Sequence, residues 1–201
     1  MPELSTTDVA SFTGGRLAAN DPEVAKMLAA ALVAARRHCG WHVNPIIEDD
    51  EITIDGPGSR ILNLPTRKLV EMTSITEGAV LVTLSTVRWS AGGPPGALSR
   101  PISVRKNNGG WWSQLYQDIV VVMTHGYDDA EAADWRYAVL AMVDEMSTLQ
   151  LSGRGEPDLL SKKVDDVTYR WADPYASAAE TAAYSQTSVF ASYTLPPLEF
   201  L

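Results

Sequence analysis

Between Asp21 and His38 the apolar residues recur at helical spacing, with Val24, Met27, Leu28, Ala31, Leu32 and Ala35 on one face. Asp21 is placed to cap, Pro22 suits the first helical position, and Glu23 favours the positive helix end. Arg36, Arg37 and His38 suit the negative end, and Gly40 can supply the left-handed residue that stops the helix. The spacing therefore predicts a core-facing amphipathic helix over 21–39.

From residue 46 to 124 the period changes. Short β-branched runs separated by turn residues predict an antiparallel sheet. Ile52 and Ile54 alternate with polar residues before Asp55-Gly56-Pro57-Gly58, and Ile61, Leu62 and Leu64 resume before Pro65, the pattern of a first hairpin. A second hairpin is expected from Leu69–Ile75 and Ala79–Val87 around Glu77 and Gly78. After the loop Gly92-Gly93-Pro94-Pro95-Gly96 come Ile102 and Val104, a turn at Asn107–Gly110, and the unbroken apolar run Ile119–Met123, which suits a central strand.

A second helix over about 130–150 is expected, with Trp135, Val139, Met142, Val143, Met146 and Leu149 on its packing face. Gly153, Gly155 and Pro157 then interrupt the pattern. The class is α+β: an antiparallel β region between two amphipathic helices in a domain spanning 1–154, followed by a C-terminal extension over 155–201. That extension holds a possible strand near Val167–Trp171 and a stretch rich in Ala, Ser and Thr from Ala176 to Ser192. Its end, with Phe190, Tyr193, Leu195, Leu198, Phe200 and Leu201, is more apolar than a solvated tail needs. The extension is expected to be an arm that meets a partner; the competing expectation is that it folds back onto its own core.

Charge narrows the function. A formal net charge of -9 opposes a sequence-independent grip on nucleic acid, which depends on Lys and Arg displacing counterions. The acid is concentrated at Glu48, Asp49, Asp50, Glu51 and Asp55, and again at Asp128, Asp129, Glu131 and Asp134. A solvated face is the plain reading of both runs, because the first lacks the alternation and turn glycine of a calcium loop. A single cysteine, Cys39, precludes an intramolecular disulfide and points to a cytoplasmic origin. Met1–Ala19 lacks the apolar stretch of a signal peptide, and no segment reaches membrane-spanning length.

No catalytic constellation stands out. His38, Cys39 and His42 crowd together, but Gly40 interrupts the helix that would align the histidines and a fourth zinc ligand is not evident. A Cys39 nucleophile with His125 as base requires only that two distant residues meet, so a buried thiol is the simpler reading. The glycine-rich stretch at 92–96 lacks the Lys-Ser/Thr of a phosphate-binding loop. Trp111-Trp112 could stack bases, although sheet packing or a partner contact suits an acidic chain better. The expectation is a structural protein and not an enzyme, with no cofactor and no metal.

One pattern points to a family. Thr13-Gly14-Gly15-Arg16-Leu17 ahead of the first helix, Arg36-Arg37-His38-Cys39-Gly40-Trp41-His42-Val43 with Pro45 at its end, Leu62-Asn63-Leu64-Pro65-Thr66, Val87-Arg88-Trp89-Ser90, and Val121-Val122-Met123-Thr124-His125-Gly126-Tyr127 occur in that order. The series resembles the head-to-tail adaptor (connector, or head-completion) proteins of long-tailed double-stranded DNA phages infecting actinobacteria, over about residues 12–150. The resemblance implies a connector-type helical core with the sheet region inserted between its two helices. It implies a homo-oligomeric ring, expected to be a dodecamer, between the portal protein and a downstream head-completion (stopper) or tail protein. Such a subunit is made in the host cytoplasm and resides at the head–tail interface of the virion, away from membranes. DNA would pass through the ring without specific binding, and an acidic lumen formed by Glu48, Asp49, Asp50, Glu51, Asp128 and Asp129 would repel its phosphates. The alternatives are another virion or tail-assembly protein and, last, a cytosolic enzyme or small-molecule-binding domain.

Overall fold

The computed structural model describes residues 3–90, 92–95, 100–151, 161–164, 167–170, 179 and 182–195, with 149–151, 161–164 and 167–170 described by backbone alone. The fold is α+β. The described residues divide into two compact units, one taking Glu3–His38 and Ala133–Ala191, the other taking Cys39–Ala132 and the described residues from Ser192 onward.

The helical unit contains α1 (Thr6–Phe12), α2 (Pro22–Cys39, its last residue falling in the other unit), α3 (Ala133–Leu151) and α4 (Thr187–Ala191). In α2 the expected face is buried throughout, from Val24 to Ala35. Asp21 caps it by accepting from the Glu23 backbone N–H at 2.9 Å. Trp135, Val139, Met142, Val143 and Met146 are likewise buried on α3. Each large apolar side chain so placed contributes about 1.5–3 kcal/mol, so these two faces supply much of the unit's stability.

Helix α1 was not anticipated by hydrophobic spacing, because only Val9 is buried along it. Its start is legible in capping chemistry: the Ser5 side chain accepts from the Asp8 N–H while the Asp8 carboxylate accepts from Ser5 N–H and O–H at 2.8 and 2.7 Å. Phe12 meets Tyr137 of α3 edge-on, with ring centroids 5.1 Å apart. Arg16 bridges to Asp144 and donates to Ser147 Oγ at 3.0 Å.

The expected strand near Val167 is present, but it joins neither sheet of the other unit. A two-stranded antiparallel pair of its own forms from Ser161–Val164 and Val167–Arg170.

The β unit contains β1 (Ile47–Ile54), β2 (Leu62–Asn63), β3 (Leu69–Glu77), β4 (Val80–Val82), β5 (Val87–Trp89), β6 (Ser103–Lys106) and β7 (Ile119–His125). Where one antiparallel sheet was expected, there are two, a four-stranded sheet in the order β1-β7-β3-β4 and a three-stranded sheet in the order β2-β6-β5. One core joins them: Met72, Ile75, Ile119, Val121 and Met123 from the first, Leu62, Val87 and Val104 from the second, with Leu64, Ile102 and Trp112 between. Neither sheet could bury its apolar face alone, which is why the region closes on itself.

Strand β7 is central, as its apolar character predicts, and alternates buried and half-buried positions between β1 and β3. The second hairpin also forms, with Gly78 at φ 56 and Ala79 at φ 64 in the turn. Its return strand is shorter than expected, because after Val82 the chain passes through a single 3-10 turn, Leu84–Thr86, and enters the other sheet as β5.

The expected first hairpin does not form. Ile52 and Ile54 pair with Val121 and Ile119 of β7, and Leu62 pairs with Val104 of β6. The Asp55–Ser59 segment, read as a tight turn, instead bonds to a distant stretch: Gly56 N–H to Leu115 O, Gly58 N–H to Ser113 O and Trp112 N–H to Ser59 O, each 2.8 Å. Nonlocal hydrogen bonds thus replace the local turn.

Candidate functional site

The described C-terminal residues of the β unit do not form a free apolar arm. Tyr193 is fully buried and Leu195 nearly so. Trp41 donates its indole N–H to Tyr193 O at 2.7 Å, and Leu195 N–H donates to Cys39 O at 2.7 Å. Arg67, almost completely buried, donates through Nη1 to the carbonyls of Ser192 and Thr194 at 2.6 and 3.3 Å. A buried guanidinium needs such acceptors, since an unpaired one would cost several kcal/mol. Tyr193 itself donates to Glu131 O at 3.1 Å and packs edge-on against Tyr127. In the helical unit Phe190 is buried and meets the His38 ring edge-on.

This corrects the expectation that Phe190, Tyr193 and Leu195 offer surface to a partner, because their apolar area is covered by the chain itself. Leu198, Phe200 and Leu201, expected to act with them, lie outside the described residues.

Tyr127 sits at the middle of this assembly. Its hydroxyl donates to Gly93 O at 3.0 Å, and its ring meets Trp41 edge-on at 5.7 Å. Burial pushes its phenol pKa above the usual value; the Arg67 charge opposes that shift and Glu131 adds to it. The segments Cys39–Val43 and Thr124–Tyr127 therefore form one joint, closed also by Tyr127 N–H on Val43 O at 2.8 Å and by Asn44 Nδ2 donating to Tyr127 O at 3.1 Å.

Within this joint stand His42 and His125, their ring centroids 6.1 Å apart. His125 is buried, with Nε2 2.9 Å from Asp50 Oδ2. His42 Nε2 lies 2.5 Å from Pro45 O. Cys39 is buried as a free thiol. Among the described residues no three His, Cys, Asp or Glu side chains group in a way that could hold a metal ion.

The acidic residues separate into engaged and free groups. Asp128 Oδ1 accepts from Ala130 and Glu131 N–H at 2.9 and 2.7 Å, and Asp129 Oδ1 accepts from Asn44 Nδ2 at 3.1 Å. Both carboxylates fix the loop entering α3. On β1, Asp50 faces His125, and Asp49, at a bulge with φ 47, accepts from Thr73 Oγ1 at 2.9 Å. Glu48 and Glu51 are exposed and have no hydrogen-bond or ion-pair partner among the described residues.

Sequence reading missed two surfaces. At the end of the four-stranded sheet, where β3 turns into β4 and the 111–118 segment leads into β7, Val80, Leu81, Leu115 and Tyr116 are 68%, 69%, 65% and 88% exposed. Gly78 N–H to Asp118 O at 2.9 Å and Ser113 N–H to Glu77 Oε1 at 2.7 Å hold these two segments side by side. On the other sheet, a groove of about 550 Å³ is lined by Arg88, Trp89, Ser103, Arg105 and Lys106 among others. Strand pairing and nonlocal hydrogen bonds set these surfaces, so composition held no sign of them. No helix among the described residues is long and apolar enough to cross a membrane. No known protein family and no curated protein matches the chain.

Proposed function

We propose that this chain is a structural virion subunit of the phage head-to-tail adaptor kind. In this reading it forms a ring between the portal and the next head-completion or tail protein, at the head–tail interface, and it performs no catalysis. The observation that carries the proposal is the apolar end of the four-stranded sheet. Val80, Leu81, Leu115 and Tyr116 are exposed large apolar side chains on two segments that hydrogen bonds hold side by side, and exposed apolar surface of this kind marks a protein contact.

Two further facts support it. Two of the motifs on which the family resemblance rests, Cys39-Gly40-Trp41-His42 and Thr124-His125-Gly126-Tyr127, are packed into one joint. The net charge of -9 suits a ring that surrounds DNA without gripping it.

The test is docking on the purified portal, followed by size analysis and electron microscopy. A ring on the portal, lost in Leu81→Glu and Tyr116→Glu, is the expected result. Docking unchanged in both variants removes the apolar end as the contact. Binding to a tail component but not to the portal would place the chain among other virion assembly proteins.

A further inference from the structure

Arg88 of β5 stands directly opposite Arg105 of β6 in the antiparallel ladder. Both are exposed, and neither has a hydrogen-bond, ion-pair or ring partner among the described residues. Like charges directly opposed across strands are destabilising. Lys106 is neutralised by Glu77 at 2.6 Å; the two arginines are not. Arg88 and Arg105 alternate along their strands with the buried Val87 and Val104, so the pair lies on the face of the three-stranded sheet turned away from the core.

The complement lies on the same unit. Strand β1 is an outer strand of the four-stranded sheet, and β5 is an outer strand of the three-stranded sheet. β1 carries Glu48 and Glu51, which have no partner among the described residues, whereas Asp50 meets His125 and Asp49 meets Thr73. One outer strand of the unit therefore carries acidic and another basic charges that have no partner among the described residues. Because β1 pairs with β7 while β5 pairs with β6, Glu48 and Glu51 belong to a different sheet from the arginines that would neutralise them.

We propose that the Arg88–Arg105 face binds the Glu48–Glu51 edge of a second copy of this chain. The contact is heterologous: each copy offers one acidic edge and one basic face, so a third copy can add in the same way, and a rotation that closes gives a ring. An exposed outer strand is also a natural template for association between chains. Charge complementarity of this kind sets register and partner choice as well as affinity. The inference deepens the ring reading above by naming the faces that meet.

The experiment compares the full chain with two charge-reversed variants, Arg88→Glu/Arg105→Glu and Glu48→Arg/Glu51→Arg, by sedimentation and native mass at low and high salt. The wild type is expected to self-associate, with about tenfold or greater weakening as salt rises toward 1 M, where screening shortens to about 3 Å. Each variant alone should be monomeric, while an equimolar mixture should recover assemblies containing both. A wild type that stays monomeric, or variants that associate as well as it does, would overturn the proposal. So would a wild type that binds a short DNA duplex through the arginines without self-association. Should a variant fail to fold, the salt series on the wild type and the single variants Arg105→Glu and Glu51→Arg decide the same question. Portal docking is not the readout, so failure here leaves the adaptor reading standing, and failure of portal docking leaves this contact standing.

Discussion

Trp41 and Tyr193, 152 positions apart in the chain, are joined by a hydrogen bond of 2.7 Å from the indole N–H to the tyrosine carbonyl. The bond seats a short C-terminal segment in the β unit, where Tyr193 is fully buried between Tyr127 and the carbonyl of Glu131. Tyr193→Ala is expected to cost about 3–5 kcal/mol, as for other large aromatic truncations in a core. Urea unfolding followed by tryptophan fluorescence measures it. Truncation after Arg154 should also destabilise the remaining chain, because Arg67 would lose the Ser192 and Thr194 carbonyls. A truncated chain as stable as the whole would contradict this.

Glu77 links three parts of the β unit. It accepts from Lys106 Nζ at 2.6 Å and from Ser113 N–H at 2.7 Å, and Lys106 lies 4.5 Å from the Trp112 ring centroid. Glu77→Ala leaves a largely buried ammonium and a backbone N–H without their acceptor, so a loss of about 2–3 kcal/mol is expected. Lys26→Ala, which breaks a surface pair with Glu23 on α2, should cost about 0.5 kcal/mol or less. Equal losses in chemical denaturation would show that burial is not what makes the Glu77 pair matter.

Gly126 has φ 112, outside the range that side chains adopt, and a Cβ there would lie 2.8 Å from Pro45 O. Gly126→Ala should cost about 1–3 kcal/mol from backbone strain alone, with more from the contact, and should loosen the joint between residues 39–45 and 124–127. Thermal unfolding together with hydrogen exchange at Tyr127 N–H checks both parts.

Alkaline pH should weaken the protein through Tyr127. Its folded pKa is raised by burial above the usual value of 10.0, so the unfolded chain releases this proton first. The stability it contributes is fully present below about pH 10 and is lost as pH rises through the folded value. Tyr127→Phe should flatten that part of the stability profile while losing the hydrogen bond to Gly93 O. A profile with the same alkaline slope in both proteins would show that another group carries it.

Acid should loosen α1. The Ser5 hydroxyl and backbone N–H hold the Asp8 carboxyl below its usual value of 3.8, so their contribution is present above that pH and is lost as pH falls through the lower folded value. Asp8→Asn should remove the pH dependence of amide protection at the start of α1. Unchanged dependence would show that the capping box does not control the helix end.

The sequence by itself determined the α+β class, the faces of α2 and α3, the central placing of Ile119–Met123 and the turn after Glu77, because each depends on periodicity or on residues adjacent in the chain. It did not determine which strands pair. Asp55-Gly56-Pro57-Gly58 has the local chemistry of a tight turn, yet its N–H groups bond to residues 113 and 115. The competition between a local hairpin and a pairing more than fifty residues away is settled by the core that both sheets must bury together. The same holds for the site. Composition separated acidic runs and an apolar C-terminus, but only tertiary structure decided that Tyr193 and Leu195 are covered and that Asp128 and Asp129 are engaged. Glu48 and Glu51 have no partner among the described residues while Arg88 faces Arg105, since a side chain's exposure and partners are set by register across strands that the chain order keeps far apart.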